Sequence, residues 1–160
     1  MTKLTFKIAE RNESGLILEY IKKLADYEKR LDEVIATESD IEKWVFDEKQ
    51  AEVIFALLDS KVIGFALYFL SFSTYIGNVN IHLEDLFIKP EYRTKGYGKA
   101  LLRELGKIVL ERGYGRIEWT CLSWNKPSID FYNSIGAEMK EWELFHFNGI
   151  ALERFVNEKS

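Results

Sequence analysis

One short run constrains this chain more than any other: Arg93-Thr94-Lys95-Gly96-Tyr97-Gly98-Lys99. It follows a strand-like segment, Asn78 to Lys89, that Pro90 stops. It precedes a helix in which Leu101, Leu105 and Ile108 repeat at i, i+4 and i+7, with Leu102 and Val109 beside them, and which Gly113 ends. A strand feeding a glycine-rich turn and then an amphipathic helix calls for an α/β layer arrangement, because both elements need a common apolar core. Glycines at such a junction leave backbone N–H groups unpaired and let a ligand approach without Cβ interference. The helix dipole adds partial positive charge, so the junction suits an anion such as a diphosphate, with Arg93 and Lys95 as supplements. It is not a Walker loop, since no Gly-Lys-Ser/Thr stands at the required spacing, and it lacks the third glycine of the dinucleotide fingerprint.

The rest of the chain supplies the other layers. Leu4, Phe6 and Ile8 alternate with polar residues as in a half-buried strand. Ile17, Tyr20, Ile21, Leu24 and Tyr27 follow helical spacing, and Thr37 with Asp40 forms a capping pattern opening a second helix with Ile41, Trp44 and Val45. Ala51 to Asp59 and Lys61 to Phe72 read as strands joined at Asp59-Ser60. Arg116 to Leu122 reads as a strand, Pro127 to Ile135 as a short helix, and Glu138 to Phe147 and Ile150 to Phe155 as closing strands. The order β-α-α-β-β-β-α-β-α-β-β predicts a mixed α/β sheet with helices on both faces.

Composition sets the outer bounds. With 160 residues the chain is one domain, 1–160, with enough surface to bury for a core without staples. Lys plus Arg is 22 against Asp plus Glu at 26, a formal charge of −4, so no basic excess supports nucleic-acid binding. The longest apolar run, Val62 to Leu70, spans about nine residues, far short of the membrane-crossing length. Met1 to Lys7 has no secretory apolar stretch, and the single cysteine, Cys121, excludes an internal disulfide framework. The expectation is a cytoplasmic protein. His82, His146 and Cys121 have no ligand spacing, so no metal is expected. Cys121, in an apolar run, reads as an inert buried thiol.

Two blocks read together go further. Leu83-Glu84-Asp85-Leu86-Phe87-Ile88-Lys89-Pro90-Glu91-Tyr92-Arg93-Thr94-Lys95-Gly96-Tyr97-Gly98 and Trp124-Asn125-Lys126-Pro127-Ser128-Ile129-Asp130-Phe131-Tyr132-Asn133-Ser134-Ile135-Gly136-Ala137 resemble the GNAT superfamily of acetyl-CoA-dependent N-acetyltransferases. The first block matches its R-x-x-G-x-G loop and the second its N-x-P-S…F-Y…G-A helix. Within the superfamily the chain is most similar to the spermidine/spermine (diamine) and thialysine acetyltransferases, through the Leu-Glu-Asp strand, the Trp-Asn turn and an early Tyr-Glu pair. The likeness runs from about Phe6 to Phe147. It implies the acyl-CoA N-acyltransferase fold, with a mixed, mostly antiparallel central sheet flanked by helices on both faces. It also implies acetyl-CoA as cosubstrate, a small-molecule amine as acceptor, direct transfer in a ternary complex, and a homodimer to which Trp142 to Phe147 contributes. A peptide acetyltransferase and a non-catalytic acyl-CoA-binding regulator are the alternatives.

The resemblance also assigns roles. An alkylamine with a pKa of about 10.4 arrives protonated, so transfer needs a base for the amine and an acid for the departing thiolate. Tyr132 matches the family's acid, and Glu84 its base, acting through water. Leu86, Phe87 and Ile88 would offer main-chain groups to the pantetheine arm. Arg93, Thr94, Lys95, Gly96, Tyr97, Gly98 and Lys99 would cradle the diphosphate, with Asn125, Lys126, Pro127 and Ser128 also on the cofactor. Asn125 and Ser128 equally suit capping of a helix that starts at Pro127. The acceptor side would hold Tyr27, Glu28, Glu84, Asp85, Glu118, Trp119 and Thr120. Strand alternation puts Glu84 and Asp85 on opposite faces unless a bulge intervenes, and the sequence does not display one. By the same parity His82 shares Glu84's face, as a structural histidine or a proton relay. Phe72 to Gly77 lacks the acidic residue of the spermidine/spermine enzymes, and Asn133-Ser134-Ile135 lacks their basic residues.

Overall fold

The computed structural model describes residues 2–158. The chain divides into two compact units, 1–120 and 121–160.

The first unit is built on one five-stranded sheet in the order β1-β2-β3-β4-β5, comprising Leu4–Ile8, Glu52–Leu58, Lys61–Ser73, Asn78–Ile88 and Ile117–Glu118. The first three pairings are antiparallel and β4–β5 is parallel, so the sheet is mixed and mostly antiparallel. Asp59 and Ser60 both take positive φ, the conformation that a tight hairpin with right-handed strand twist requires. Helix α1, Ser14–Tyr27, lays Ile17 and Tyr20 on one face of the sheet. Tyr20 is fully buried, with its ring 5.6 Å from Phe65 and 5.9 Å from Phe87. Its hydroxyl donates to the Val62 carbonyl, satisfying the one polar atom that burial would otherwise strand. The capping box at Thr37 and Asp40 opens α2, Glu38–Ile41, which runs on as a π-helical turn over Glu42–Asp47 and adds Ile41 and Val45 to the same core.

The second helix layer lies on the other face. Helix α3, Tyr97–Arg112, buries Leu101, Leu102, Leu105 and Val109. Its first turn meets Leu86 and Ile88, which alternate with the α1-facing Phe87. Helices on both faces of a mixed sheet are thus as the sequence predicts.

Four expectations need correction. The strand read over Arg116 to Leu122 is confined to Ile117–Glu118, because β5 pairs with β4 only at Ile81↔Ile117 and His82↔Glu118. Beyond that point the chain has no ladder to extend, and Cys121 is exposed rather than buried in a strand. In the second unit, α4 at Lys126–Ser134 is as expected, but Glu138 to Phe147 forms no strand and Ile150 to Phe155 belongs to a helix, α5, Gly149–Asn157. The apolar set Ala151, Leu152, Phe155 and Val156 fits a 3.6-residue period at least as well as alternation, an ambiguity inherent in short apolar runs.

Candidate active site

Strand β4 carries Glu84 and Asp85, expected on the acceptor side, and a break in its register brings them together. Leu67 faces Asp85 and Tyr68 faces Leu83, so Glu84 is an extra residue with no cross-strand partner. This is a β-bulge, the device that the sequence required for two successive carboxylates to share a neighbourhood and did not reveal. Glu84 is exposed while Asp85 is pushed inward. Burial first, then the charges of Glu84 and of Glu28 at the end of α1, raise the Asp85 carboxyl to about 7. Glu28 is likewise raised by burial, with Arg30 opposing and Glu84 adding to the effect. Three carboxylates from two elements therefore share one field, a standing attraction for a cation.

Glu118, expected beside them, is engaged by protein groups instead. Ser71 Oγ donates to its Oε1 at 2.8 Å, and Arg116 Nη2 lies 3.3 Å from its Oε2. Burial lifts this carboxyl, but Ser71, Arg116 and His82 together hold it below its ordinary value. His82 stacks on Phe69 with ring centres 4.7 Å apart. Trp119 is half-buried and Thr120 exposed just past β5.

The glycine loop is built from backbone. Thr94 and Gly96 both take positive φ, 64° and 82°, which turns the chain into α3. The first intrahelical bond runs from Ala100 N–H to the Gly96 carbonyl, so Tyr97, Gly98 and Lys99 precede it in the helix's open first turn. No side chain caps this end. A Cβ on Gly98 would lie 3.7 Å from the nearest atom, ordinary contact, so nothing inside the protein demands glycine there. At Gly96 a Cβ would meet nothing within 4 Å, so the open surface lies there, beside the N–H groups that an external anion needs.

Arg93, expected among the diphosphate residues, also makes contacts within the protein. Its Nε donates to the Ile88 carbonyl at 2.8 Å, and its guanidinium lies over Tyr27 and Phe87 at 5.0 and 5.2 Å. It joins the loop, the end of β4 and the Tyr27–Glu28 corner. Lys95 reaches the Glu91 carbonyl. On its other side β4 loses its strand partner after His82, leaving Leu86, Phe87 and Ile88 on an edge that no described strand covers. An uncovered edge is able to hydrogen-bond an extended ligand chain.

In the second unit, Tyr132 is half-buried on α4 with its ring 5.6 Å from Phe131. Asn125 is buried at the helix N-cap, Pro127 lies in the first turn, Ser128 is half-buried, and Lys126 pairs with Asp130 at 2.8 Å. The local sequence signal missed the Arg93–Ile88 bond and the Ser71–Glu118 contact, since both join residues through the fold rather than through a motif. Among the described residues no group of three or more His, Cys, Asp or Glu side chains is arranged to hold a metal ion. No helix among them is long and apolar enough to cross a membrane.

Residues 18–137, which include the bulged strand and the glycine-rich start of α3, match the Acetyltransferase (GNAT) family. The chain belongs to that family of N-acetyltransferases. It is 34% identical to thialysine N-epsilon-acetyltransferase of Bos taurus over 92% of this chain and 94% of that protein. It is 39% identical over 98 residues to an L-ornithine N5-acetyltransferase of Arabidopsis thaliana, covering 61% of this chain and 43% of that one. Among solved structures, an integron cassette protein of V. cholerae aligns with TM-score 0.78 and 28% identity over 97% of this chain and 98% of that chain. An aminoglycoside acetyltransferase from a soil metagenome shares the fold at TM-score 0.75 and 17% identity, over 92% and 96%.

Proposed function

We propose that this chain moves the acetyl group of acetyl-CoA directly, in a ternary complex, to a primary amine of a small cationic molecule: a short diamine, a polyamine or a lysine-like amino acid. The observation that carries this reading is the bulge at Glu84, which groups Glu28, Glu84 and Asp85 into an anionic patch suited to a dication. Two relatives are named for acceptors that are amino acids with a second amine, which agrees with that patch. Glu84 takes the amine's proton through water. Tyr132 returns a proton to the thiolate, whose conjugate pKa lies near 8.5 by analogy with cysteine, from a phenol at about 10. The N–H groups of the Thr94–Lys99 loop hold the diphosphate, and main-chain groups of Leu86, Phe87 and Ile88 hold the pantetheine arm. Arg93 keeps the loop and strand in register, and Asn125, Lys126, Pro127 and Ser128 complete the cofactor side. Tyr27, Trp119 and Thr120 line the acceptor side.

We read both units as one domain, since the family match crosses the boundary at Thr120. A homodimer is supported by Trp142, Leu144 and Phe145, which are 78%, 73% and 88% exposed in one apolar run. A cytoplasmic setting accords with the single cysteine, Cys121.

The test is thiol release from acetyl-CoA across ornithine, thialysine, short diamines, spermidine, an aryl amine and a peptide. Release with the amino acids or diamines supports the reading; release with the peptide alone, or with nothing, ends it. In the same assay Tyr132→Phe should lower kcat by about 10² to 10⁴ while acetyl-CoA affinity holds.

A further inference from the structure

We propose that Glu118 and His82 form a positioning pair behind Glu84: Glu118 fixes the imidazole so that its Nε2 faces the Glu84 carboxylate and accepts the proton that Glu84 takes from the amine. This rests on the reading of Glu84 as the amine's base. The pair is set by topology, because one of only two residue pairs joining β4 to β5 is His82↔Glu118. The ring is held from the other side by Phe69, its direct partner on β3. Between these neighbours, Nδ1 lies 3.7 Å from Glu118 Oε1 and Nε2 lies 3.7 Å from Glu84 Oε2.

Glu118 suits the role of orienter rather than substrate ligand. Both of its oxygens already face partners, Ser71 on Oε1 and Arg116 on Oε2. At 3.7 Å from Nδ1, beyond a direct hydrogen bond, its charge and one bridging water favour the Nδ1–H tautomer, which leaves the Nε2 lone pair toward Glu84. The charged and titratable groups around the ring are Glu84 from β4 and Glu118 from β5, with Arg116 beyond Glu118; β3 contributes Phe69 and the Ser71 hydroxyl. The side chain of Glu84 is 57% exposed and that of His82 is 23% exposed, so one end of the chain meets the acceptor and the ring still reaches water.

The proton count closes without any other reactant. An N–H bond of the ammonium breaks and an O–H bond forms on Glu84, giving the neutral amine. That O–H then breaks as an N–H forms on Nε2, restoring the Glu84 carboxylate and leaving an imidazolium between two carboxylates, which loses its proton to solvent. The 3.7 Å gap exceeds a direct hydrogen bond and is closed by one bridging water or by tightening on substrate binding. The relay matters because it returns Glu84 to its carboxylate form, ready for the next ammonium.

The experiment uses the full chain and the variants Glu118→Gln, Glu118→Asp, His82→Gln and the double Glu118→Gln/His82→Gln. With a diamine acceptor, each Gln variant should lower kcat at pH 7 by about tenfold or more and by less at pH 9, with acceptor KM within about twofold. Glu118→Asp should recover part of the loss, and the double variant should fall no further than the worse single one. A rise in dication KM with unchanged kcat in Glu118→Gln would make Glu118 a substrate ligand and overturn the pair. A second readout needs no activity. The imidazole ¹⁵N signals of His82, identified by their loss in His82→Gln, should report the Nδ1–H form and shift toward Nε2–H in Glu118→Gln. Signals indifferent to Glu118 overturn the proposal. If wild type acetylates no amine, the proton step falls with the Glu84 reading, while the tautomer signal still decides the pairing.

Discussion

The loop after β4 is shaped by its backbone, whereas the bulge inside β4 gathers charged side chains, and the roles proposed for the two regions differ accordingly. At Thr94–Lys99 the proposed role lies in conformation: positive φ at Thr94 and Gly96, open N–H groups at the start of α3, and a bare Cα at Gly98. At Glu84 the proposed role lies in charge: Glu84 and Glu28 add to burial in raising the Asp85 carboxyl, and Glu84 adds to the rise at Glu28. A backbone site tolerates changes of charge nearby but not of shape. A charge cluster tolerates isosteric change of shape but not neutralisation. Substitutions that respect one requirement and break the other should therefore separate the two regions.

The largest effect should come from Glu84→Gln, which keeps shape and removes the base. At pH 7, kcat should fall by about 10² to 10⁴, and by less at pH 9 where more of the amine is already neutral. Acetyl-CoA affinity, measured by calorimetry, should stay within about twofold. A parallel loss of cofactor binding would show that the two regions are not separable in this way.

Asp85→Asn tests the same cluster through stability. Asp85 ionises near 7 in the folded chain, against about 3.9 unfolded, because burial and then the neighbouring carboxylates disfavour its charge. A folded-state pKa raised in this way gives stability that is complete below about pH 4 and is lost as pH rises through 7. Removing the charge should recover on the order of 2–4 kcal/mol at pH 8, raising Tm by about 5 °C or more. At pH 4 the variant and wild type should melt together. Equal melting at pH 8 would place Asp85 in water rather than in the cluster.

The contrast also explains what the sequence discloses. Gly96 is legible because the αL turn into α3 needs a residue that adopts φ 82° without strain. The core positions Tyr20, Leu101 and Leu105 are legible because burial imposes a period. The bulge is not, since Leu83-Glu84-Asp85-Leu86 reads as plain alternation, and only pairing with Leu67 and Tyr68 shows the extra residue. The partners of Glu118 are equally hidden from the sequence, because Ser71 and His82 come from other strands. Trp142 to Phe147 failed as a strand for a related reason: apolar content without a ladder partner fixes no secondary structure.

Gly98→Asp is the reverse case, a change of shape and charge in the backbone site. A Cβ fits against Ile88 and Leu86 at 3.7 and 3.8 Å, so Tm should change little. The added carboxylate would stand where the diphosphate is held, weakening acetyl-CoA binding about tenfold or more, roughly 1.4 kcal/mol. Amine KM at saturating acetyl-CoA should be unaffected. An unchanged cofactor affinity in the folded variant would remove the loop from the site.

The smallest effect belongs to Glu28→Gln, at the margin of the acidic patch. Glu28 lies at the end of α1 and shares the field of Glu84, with Arg30 partly opposing it. Its contribution to a bound dication is long-range and partly screened, since the Debye length is about 8 Å at physiological salt. KM for a diamine or a lysine-like amino acid should rise roughly two- to fivefold, while KM for a neutral-tailed monoamine should change less than twofold. Added salt should raise the wild-type dication KM in the same direction and shrink the difference between wild type and variant. The loop Phe72 to Gly77 carries no acidic residue to hold the far end of a long chain, so spermine should gain nothing over short diamines in kcat/KM. The measurement is kcat/KM across the amine panel at two ionic strengths. A ranking that ignores both salt and Glu28 would confine acceptor recognition to the bulge itself, leaving Glu84 and Asp85 as the whole of the anionic patch.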